Sequence, residues 1–236
     1  MQGYSRRLEV DVHDVDYNGV AKASSLFRYI QSTAQLQLTS GGLSYDELKR
    51  HGRAFLLSRI KVEFLDKVEA YDTLEATTFP CHSHGYTFLR CYTLHRGDKL
   101  IARAISVWAL VDINNRSLVK VDDFELNLTT YEPLELDLGR FRIPATVREV
   151  GKYTVRYGCL DQNRHMNNTV YPDLYSDYLP LDGRRISSIA INYQNEAPAG
   201  ELLSVQMTEE NGIYYFRTVR GDGKINTEAQ ITLAEI

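Results

Sequence analysis

Apolar and polar positions alternate with period two through several stretches of this chain, the pattern of strands with one buried face. Arg59–Phe64 (RIKVEF), Phe88–Leu94 (FLRCYTL), Leu100–Val111 (LIARAISVWALV), Ile186–Tyr193 (ISSIAINY) and Ile213–Val219 (IYYFRTV) all read this way. Residues suited to turns separate them: Arg96–Gly97–Asp98, Asn114–Asn115, Asn211–Gly212 and Gly221–Asp222–Gly223. One stretch departs from the alternation. Leu26, Tyr29, Ile30, Thr33, Ala34, Leu36 and Gln37 recur at helical spacing and predict a long helix over about Ser24–Thr39. Ser24 or Ser25 is expected to cap its start and Gly41–Gly42 to end it. A second, short helix is expected from Ser44 to His51.

A weak internal repeat organises these elements. Asp16 and Asn18 correspond to Asp161 and Asn163 at an offset of 145. Phe64 and Ala70 correspond to Tyr193 and Ala199 at 129, and Arg96–Gly97–Asp98 to Arg220–Gly221–Asp222 at 124. Element order is thus kept while spacing shrinks, mostly where the first half has its long helix. Each half reads as a leading strand and turn, a central helix and an antiparallel meander. The expectation is an α+β fold of two halves, each a curved antiparallel sheet around a helix. The halves are expected over 1–128 and 149–236, joined by a surface linker over 129–148.

Composition narrows the classes. Of 236 residues 43% are hydrophobic and 25% charged, ordinary globular usage. The net charge of −4 is spread over both halves, so nucleic acid is not an expected partner. No apolar run approaches the roughly 18–20 residues of a membrane span, and no secretory signal is evident, so a cytoplasmic protein is expected. Three cysteines, Cys81, Cys91 and Cys159, lack framework spacing and suit a reducing compartment. Sixteen tyrosines suggest half-buried strand surfaces with polar tips.

The densest polar cluster is Cys159–Leu160–Asp161–Gln162–Asn163–Arg164–His165–Met166–Asn167–Asn168. Asp161, Asn163 and His165 alternate and are expected to project to one side. A carboxylate can polarise water, an imidazole can move a proton near neutral pH and a carboxamide can hold a carbonyl or the water. Asn167 or Asn168 suits a helix N-cap, which would leave backbone N–H groups for a developing oxyanion. Turn and capping duty accounts for Asp161 alone, but such duty does not require His165. In the first half Asp16 and Asn18 persist while Val20 stands where the histidine would be, so the second half reads as the chemical half. Glu196, at the end of a predicted strand, is a second carboxylate confined to that half, since Lys67 is its counterpart.

Other signals are weaker. Cys81, His82, His84, Cys91 and His95 lack the paired spacing of structural zinc sites and read as a polar strand edge, so no metal is expected. There is no G-x-S-x-G elbow, phosphate-binding loop or dinucleotide glycine fingerprint. Basic clusters at Lys49–Arg50–His51–Arg53, Arg140–Arg142 and Arg184–Arg185 could receive an acidic partner. The last lies between the two candidate catalytic segments and ranks first. Cys159 is expected to face the side of Asp161 and to serve packing.

The D-x-N-x-H-M-N-N string, the later N-Y-x-x-E segment and Arg103–Trp108 followed by Asn115–Leu118 resemble the acyl-acyl carrier protein thioesterase family, over nearly the whole chain. The resemblance implies a tandem hotdog fold and hydrolysis of acyl thioesters on carrier protein, without cofactor. The partner would be an acyl carrier protein bearing a phosphopantetheine-linked acyl chain, and the protein a monomeric pseudo-dimer or a homodimer. The family's catalytic residues fall on Asp161, Asn163, His165 and Glu196; where plant members carry a cysteine after the glutamate, this chain has Ala197. The first half would hold the acyl chain and the second the chemistry. The expected mechanism is direct attack by water, with Asp161 and Glu196 both open as the base. A thioesterase for coenzyme A esters, a dehydratase of the same architecture and a non-catalytic acyl-binding protein are the alternatives.

Overall fold

Among residues 3–124, 127–138 and 141–236, which the computed structural model describes, eleven strands join one antiparallel sheet. The first half supplies β1 (Tyr4–Glu9), β2 (Arg53–Phe64), β3 (Thr73–Pro80), β4 (Phe88–Arg96), β5 (Lys99–Asp112) and the short β6 (Ser117–Val119). The second supplies β7 (Arg148–Thr154), β8 (Arg184–Tyr193), β9 (Leu202–Glu210), β10 (Ile213–Val219) and β11 (Ile225–Glu235). From the centre outward one side runs β2-β5-β4-β3-β1 and the other β8-β11-β10-β9-β7, with β6 on β5. The halves meet where β2 pairs with β8. There Lys61 faces Ala190, two positions 129 apart, so each residue pairs with its own repeat equivalent on a local two-fold axis.

Local chemistry explains the strand ends. Asn211 and Gly212 both take positive φ (55° and 78°), as a two-residue type I′ hairpin between β9 and β10 requires. The long helix, α1 (Ala23–Ser40), buries Leu26, Phe27, Ile30 and Ala34 on one face and lies against β1, β3 and β4. Its start differs from expectation. Lys22 occupies the cap position without a side-chain bond; Ser24 and Ser25 are buried inside the helix, and Ser25 Oγ donates to the Asp14 carbonyl. The short helix α2 (Tyr45–Arg50) is capped as expected, Ser44 Oγ accepting from Glu47 N. In the second half α3 (Tyr171–Ser176) has 6 residues against the 18 of α1, which accounts for most of the contraction in repeat spacing.

One apolar core runs through both halves. Ile60 and Val62 of β2, Ile189 and Ile191 of β8, Phe27 of α1 and Tyr175 of α3 belong to it. Burying a side chain such as Phe27 contributes about 1.5–3 kcal/mol. The tyrosines are used more deeply than their count suggests. Tyr92, Tyr171 and Tyr175 are fully buried, and the Tyr92 and Tyr175 hydroxyls meet Ser106 Oγ (3.1 Å) and Thr227 Oγ1 (2.6 Å).

The segment between the halves is irregular over most of its described length, but it does more than cross the surface. Tyr131 exchanges backbone hydrogen bonds with Pro80 and His82, and Leu136 packs with Phe79, Cys81, Cys91 and Ile105 in a second core on the outer face of the first half's strands. Cys81 and Cys91 are therefore apolar core residues, and His82, past the end of β3, meets Thr130 and Glu132. The expected polar strand edge is replaced by this covering. No described helix is long and apolar enough to cross a membrane.

Candidate active site

Residues 161–165 form a tight turn built by one carboxylate. Asp161 Oδ1 accepts from the backbone N–H of Asn163 (2.8 Å) and of His165 (3.3 Å), and Asp161 N–H donates to the His165 carbonyl (2.9 Å). Arg164 takes φ +65° to close it, a conformation costly for a residue with a Cβ. The first half repeats the construction. Asp16 Oδ1 accepts from Asn18 N (2.8 Å) and Val20 N (3.2 Å), with Gly19 at φ +75°. The carboxylate common to both turns is thus a turn-builder; His165 is what the second half adds.

The backbone then carries this turn to the end of β8. Met166 N–H donates to the Ala197 carbonyl (2.8 Å), and His165 bridges Pro198. Glu196 arrives beside the imidazole, Oε2 lying 3.3 Å from His165 Nδ1. Its segment is pinned by Arg220, whose Nη1 donates to the Glu196 carbonyl, and by Asn195 Nδ2 donating to the Ile225 carbonyl. Asn163 is held from the other half, its Oδ1 accepting from the Tyr45 hydroxyl at 2.6 Å. With the oxygen engaged, the rest of that carboxamide is a donor. Asp161, Asn163, His165 and Glu196 all line one cavity of about 1630 Å³, whose opposite walls are first-half residues including Ala34 and Leu38 of α1, Leu57 and Trp108. Burial pushes the Tyr171 phenol on the same cavity up to about 12, with the Asp161 and Glu196 charges adding, so it stays protonated.

Two expectations about this stretch change. The helix begins at Tyr171, and the Asn167 side chain caps the turn before it by accepting from Thr169 N and Oγ1; Pro172 removes one of the N–H groups an oxyanion could have used. Cys159 sits on a separate short turn, against the Tyr153 hydroxyl (2.8 Å), rather than on the side of Asp161. Among the described residues no three His, Cys, Asp or Glu side chains gather to hold a metal ion.

Residues 1–127 match the acyl-ACP thioesterase N-terminal domain, and residues 144–235 match the C-terminal domain. The chain belongs to the acyl-ACP thioesterase family. A chloroplastic acyl-[acyl-carrier-protein] hydrolase of Cuphea viscosissima is 21% identical over 214 residues, covering 82% of this chain and 52% of the relative. A palmitoyl-acyl carrier protein thioesterase of Cuphea hookeriana is 22% identical over the same length, covering 82% and 51%. The chain thus spans about half the length of these curated relatives. An acyl-ACP thioesterase from Bacteroides thetaiotaomicron superposes with TM-score 0.88 at 20% identity, over 98% of this chain and 97% of that one. The 12:0-ACP thioesterase from Umbellularia californica superposes at 0.82 and 17%, over 99% and 97%. The fold shared with these structures is the double hotdog.

Within this family member the basic clusters separate. Arg184 and Arg185 begin β8, at the opposite end from Glu196; Arg184 pairs with Glu235, and Arg185 donates to the Phe64 carbonyl. Arg185 lines a second cavity of about 330 Å³ with Asp16 and Val20, the two-fold counterpart of the site. The cluster ranked first by sequence therefore lies away from the candidate chemistry, because strand direction, not sequence order, decides proximity. Arg140 of the Arg140–Arg142 pair lies outside the described residues. Lys49 instead sits on α2 with its Nζ 5.7 Å from the Tyr45 ring centre, next to the residue that touches Asn163. Tyr45 is the site residue that sequence reasoning missed. It lies 118 positions from its partner, and its local pattern says only that a helix begins there.

Proposed function

We propose that this chain hydrolyses acyl-acyl carrier protein thioesters, releasing a free fatty acid and the carrier protein thiol. The observation that carries the reading is the Glu196–His165 contact of 3.3 Å at a cavity large enough for an acyl chain. Membership of the acyl-ACP thioesterase family supports the substrate class. In this reading residues 1–128 hold the acyl chain, residues 149–236 carry the chemistry, and a cytoplasmic setting suits the three cysteines.

Glu196 accepts the Nδ1 proton of His165, which fixes the tautomer and leaves Nε2 as the acceptor. Nε2 takes a proton from water as its oxygen attacks the thioester carbonyl carbon. The Asn163 amide donates to the carbonyl oxygen as charge develops there. The C–S bond then breaks and the imidazolium returns its proton to the thiolate. A thiol with a pKa of about 8–9 leaves with little help, so this modest set suffices. Of the two carboxylates, Glu196 is the better partner for the base. Asp161 spends its oxygen on two backbone donors equivalent to those of Asp16, whose turn has Val20 in the place of the histidine. The carrier protein is proposed to approach over α2, where Lys49 adjoins Tyr45.

The test is thiol release from carrier-protein thioesters of graded chain length, with His165→Ala and Glu196→Gln alongside. Release by the parent and loss of about 10²-fold or more in both variants is the expected result. Release that persists in both moves the chemistry elsewhere, and no release from any carrier-protein thioester removes the substrate assignment.

A further inference from the structure

A guanidinium sits unpaired in the wall of the acyl cavity. Arg90 is 7% exposed, lies on the inward face of β4 and lines the same cavity as His165 and Glu196. Its side-chain hydrogen bonds to described residues leave from Nη1, to Gln37 Oε1 on α1 and to Thr78 Oγ1 on β3 (3.0 Å). Nε and Nη2 carry the other three N–H groups of the fork. Among the described residues no carboxylate lies within ion-pair distance of it, and burial pulls the guanidinium below its ordinary value.

The surroundings are polar too. Ser106 Oγ receives the Trp108 indole N–H (2.7 Å) and meets the Tyr92 hydroxyl (3.1 Å), and Ser106 pairs with Arg90 across β5 and β4. Gln37, Thr78 and Ser106 are all buried. A cavity for plain alkyl chain has no use for such a group, since a methylene stripped of water beside a guanidinium offers it nothing in return. β4 is the third strand out from the junction, so at about 4.8 Å per strand Arg90 stands roughly 10 Å to one side of it. The turn carrying His165 belongs to the other half and lines the same cavity, so a chain with its thioester at His165 can run along the cavity toward Arg90.

We infer that Arg90, with Gln37 and Thr78, forms a subsite for an oxygen substituent on the acyl chain away from the thioester, a carboxylate best and a hydroxyl next. The inference rests on the proposed hydrolysis for its substrate class, and it adds that this cavity selects oxygen-bearing chains over plain ones. A carboxylate would meet the fork through two parallel bonds and neutralise it; a hydroxyl would accept one. A plain chain of equal length would leave three donors unpaired.

The experiment compares carrier-protein thioesters of one chain length in plain, hydroxylated and terminally carboxylated forms, on the parent and on Arg90→Met. The expected kcat/KM ratio of oxygen-bearing to plain chain in the parent is tenfold or more, falling at least tenfold in Arg90→Met. Arg90→Lys keeps the charge and is expected to retain part of the ratio. In a second arm, calorimetry measures binding of the matching primary amides, which have no head carboxylate, to His165→Ala, where the oxygen-bearing amide should bind tighter by a similar factor. Equal ratios in parent and Arg90→Met, or equal binding of plain and oxygen-bearing amides, overturns the subsite. Turnover of plain thioesters without that preference would sink the subsite alone. Silence on every thioester would sink the hydrolysis, and calorimetry would still decide the subsite.

Discussion

The Tyr45 hydroxyl donates a 2.6 Å hydrogen bond to Asn163 Oδ1, joining the second helix of one half to the 161–165 turn of the other. The two-fold partner of this contact exists as well: Asn18 Nδ2 donates to the Leu181 carbonyl (2.7 Å), again from a turn to the segment beyond the other half's helix. Each turn is thus steadied by the opposite half. Tyr45→Phe is expected to cost about 0.5–1.5 kcal/mol of transition-state stabilisation, a fall in kcat of roughly 3–10-fold. The same change in an Asn163→Ala background should add nothing; additive losses would mean that Tyr45 acts elsewhere.

The division of labour between the carboxylates is open to a direct comparison. Asn can replace Asp in the 161–165 turn because its side-chain oxygen still accepts the two backbone N–H groups. Asp161→Asn should therefore keep far more turnover than Glu196→Gln, which is expected to lose about 10²-fold or more. Equal losses in single-turnover assays would place Asp161 in the chemistry alongside Glu196.

The first-half turn offers a stability test without chemistry. Asp16→Ala removes the acceptor for Asn18 and Val20 N–H and is expected to cost about 0.5–2 kcal/mol. That is a drop of roughly 2–4 °C in Tm per kcal/mol for a domain of this size. Asp16→Asn should recover most of it, and calorimetry that finds both variants equal would remove the turn-building role.

The linker's packing predicts a larger effect than a surface strap would give. Leu136→Ala empties the centre of the outer cluster and should destabilise by about 2–5 kcal/mol. A change under about 0.5 kcal/mol in urea unfolding would show that the segment merely lies on the sheet.

Acid sensitivity has an identifiable contributor at Asp66. The Lys99 hydrogen bond (2.6 Å) outweighs the opposing effect of burial and, with Lys67 N–H and Arg96, holds this carboxyl below its ordinary 3.8. A carboxyl lowered on folding adds stability above its unfolded value, and that stability is lost as pH falls through the lower folded value. Asp66→Asn should therefore melt earlier than the parent at pH 7, with the gap closing below about pH 4. A gap independent of pH would assign the effect to packing.

Much of the fold was legible because strands and turns are local. The Phe88–Leu94 and Ile213–Val219 alternations became β4 and β10, and Asn211–Gly212 became a hairpin turn. The helix over Ser24–Thr39 was right in place and wrong in its cap, because Ser25 spends its hydroxyl on the Asp14 carbonyl from a neighbouring turn. His165 and Glu196 stood out by asymmetry between the repeats, and Asp161 and Asn163 by their alternation with His165; all four line one cavity. Ranking Arg184–Arg185 beside them failed, since a strand as long as β8 carries its two ends far apart.

By itself the amino-acid sequence determined the alternation that makes a sheet, the repeat that makes it double, and the string that places a histidine in one turn and a valine in its counterpart. These follow from local backbone preference and side-chain period, which need no partner. Only the tertiary structure decided which carboxylate meets the imidazole, that Tyr45 reaches Asn163, that Cys81 and Cys91 are core, and that Arg90 lines the same cavity as His165 with no carboxylate among the described residues at ion-pair distance. Each of those facts is a contact between segments far apart in the chain, and its energy depends on distance and burial that no local pattern records.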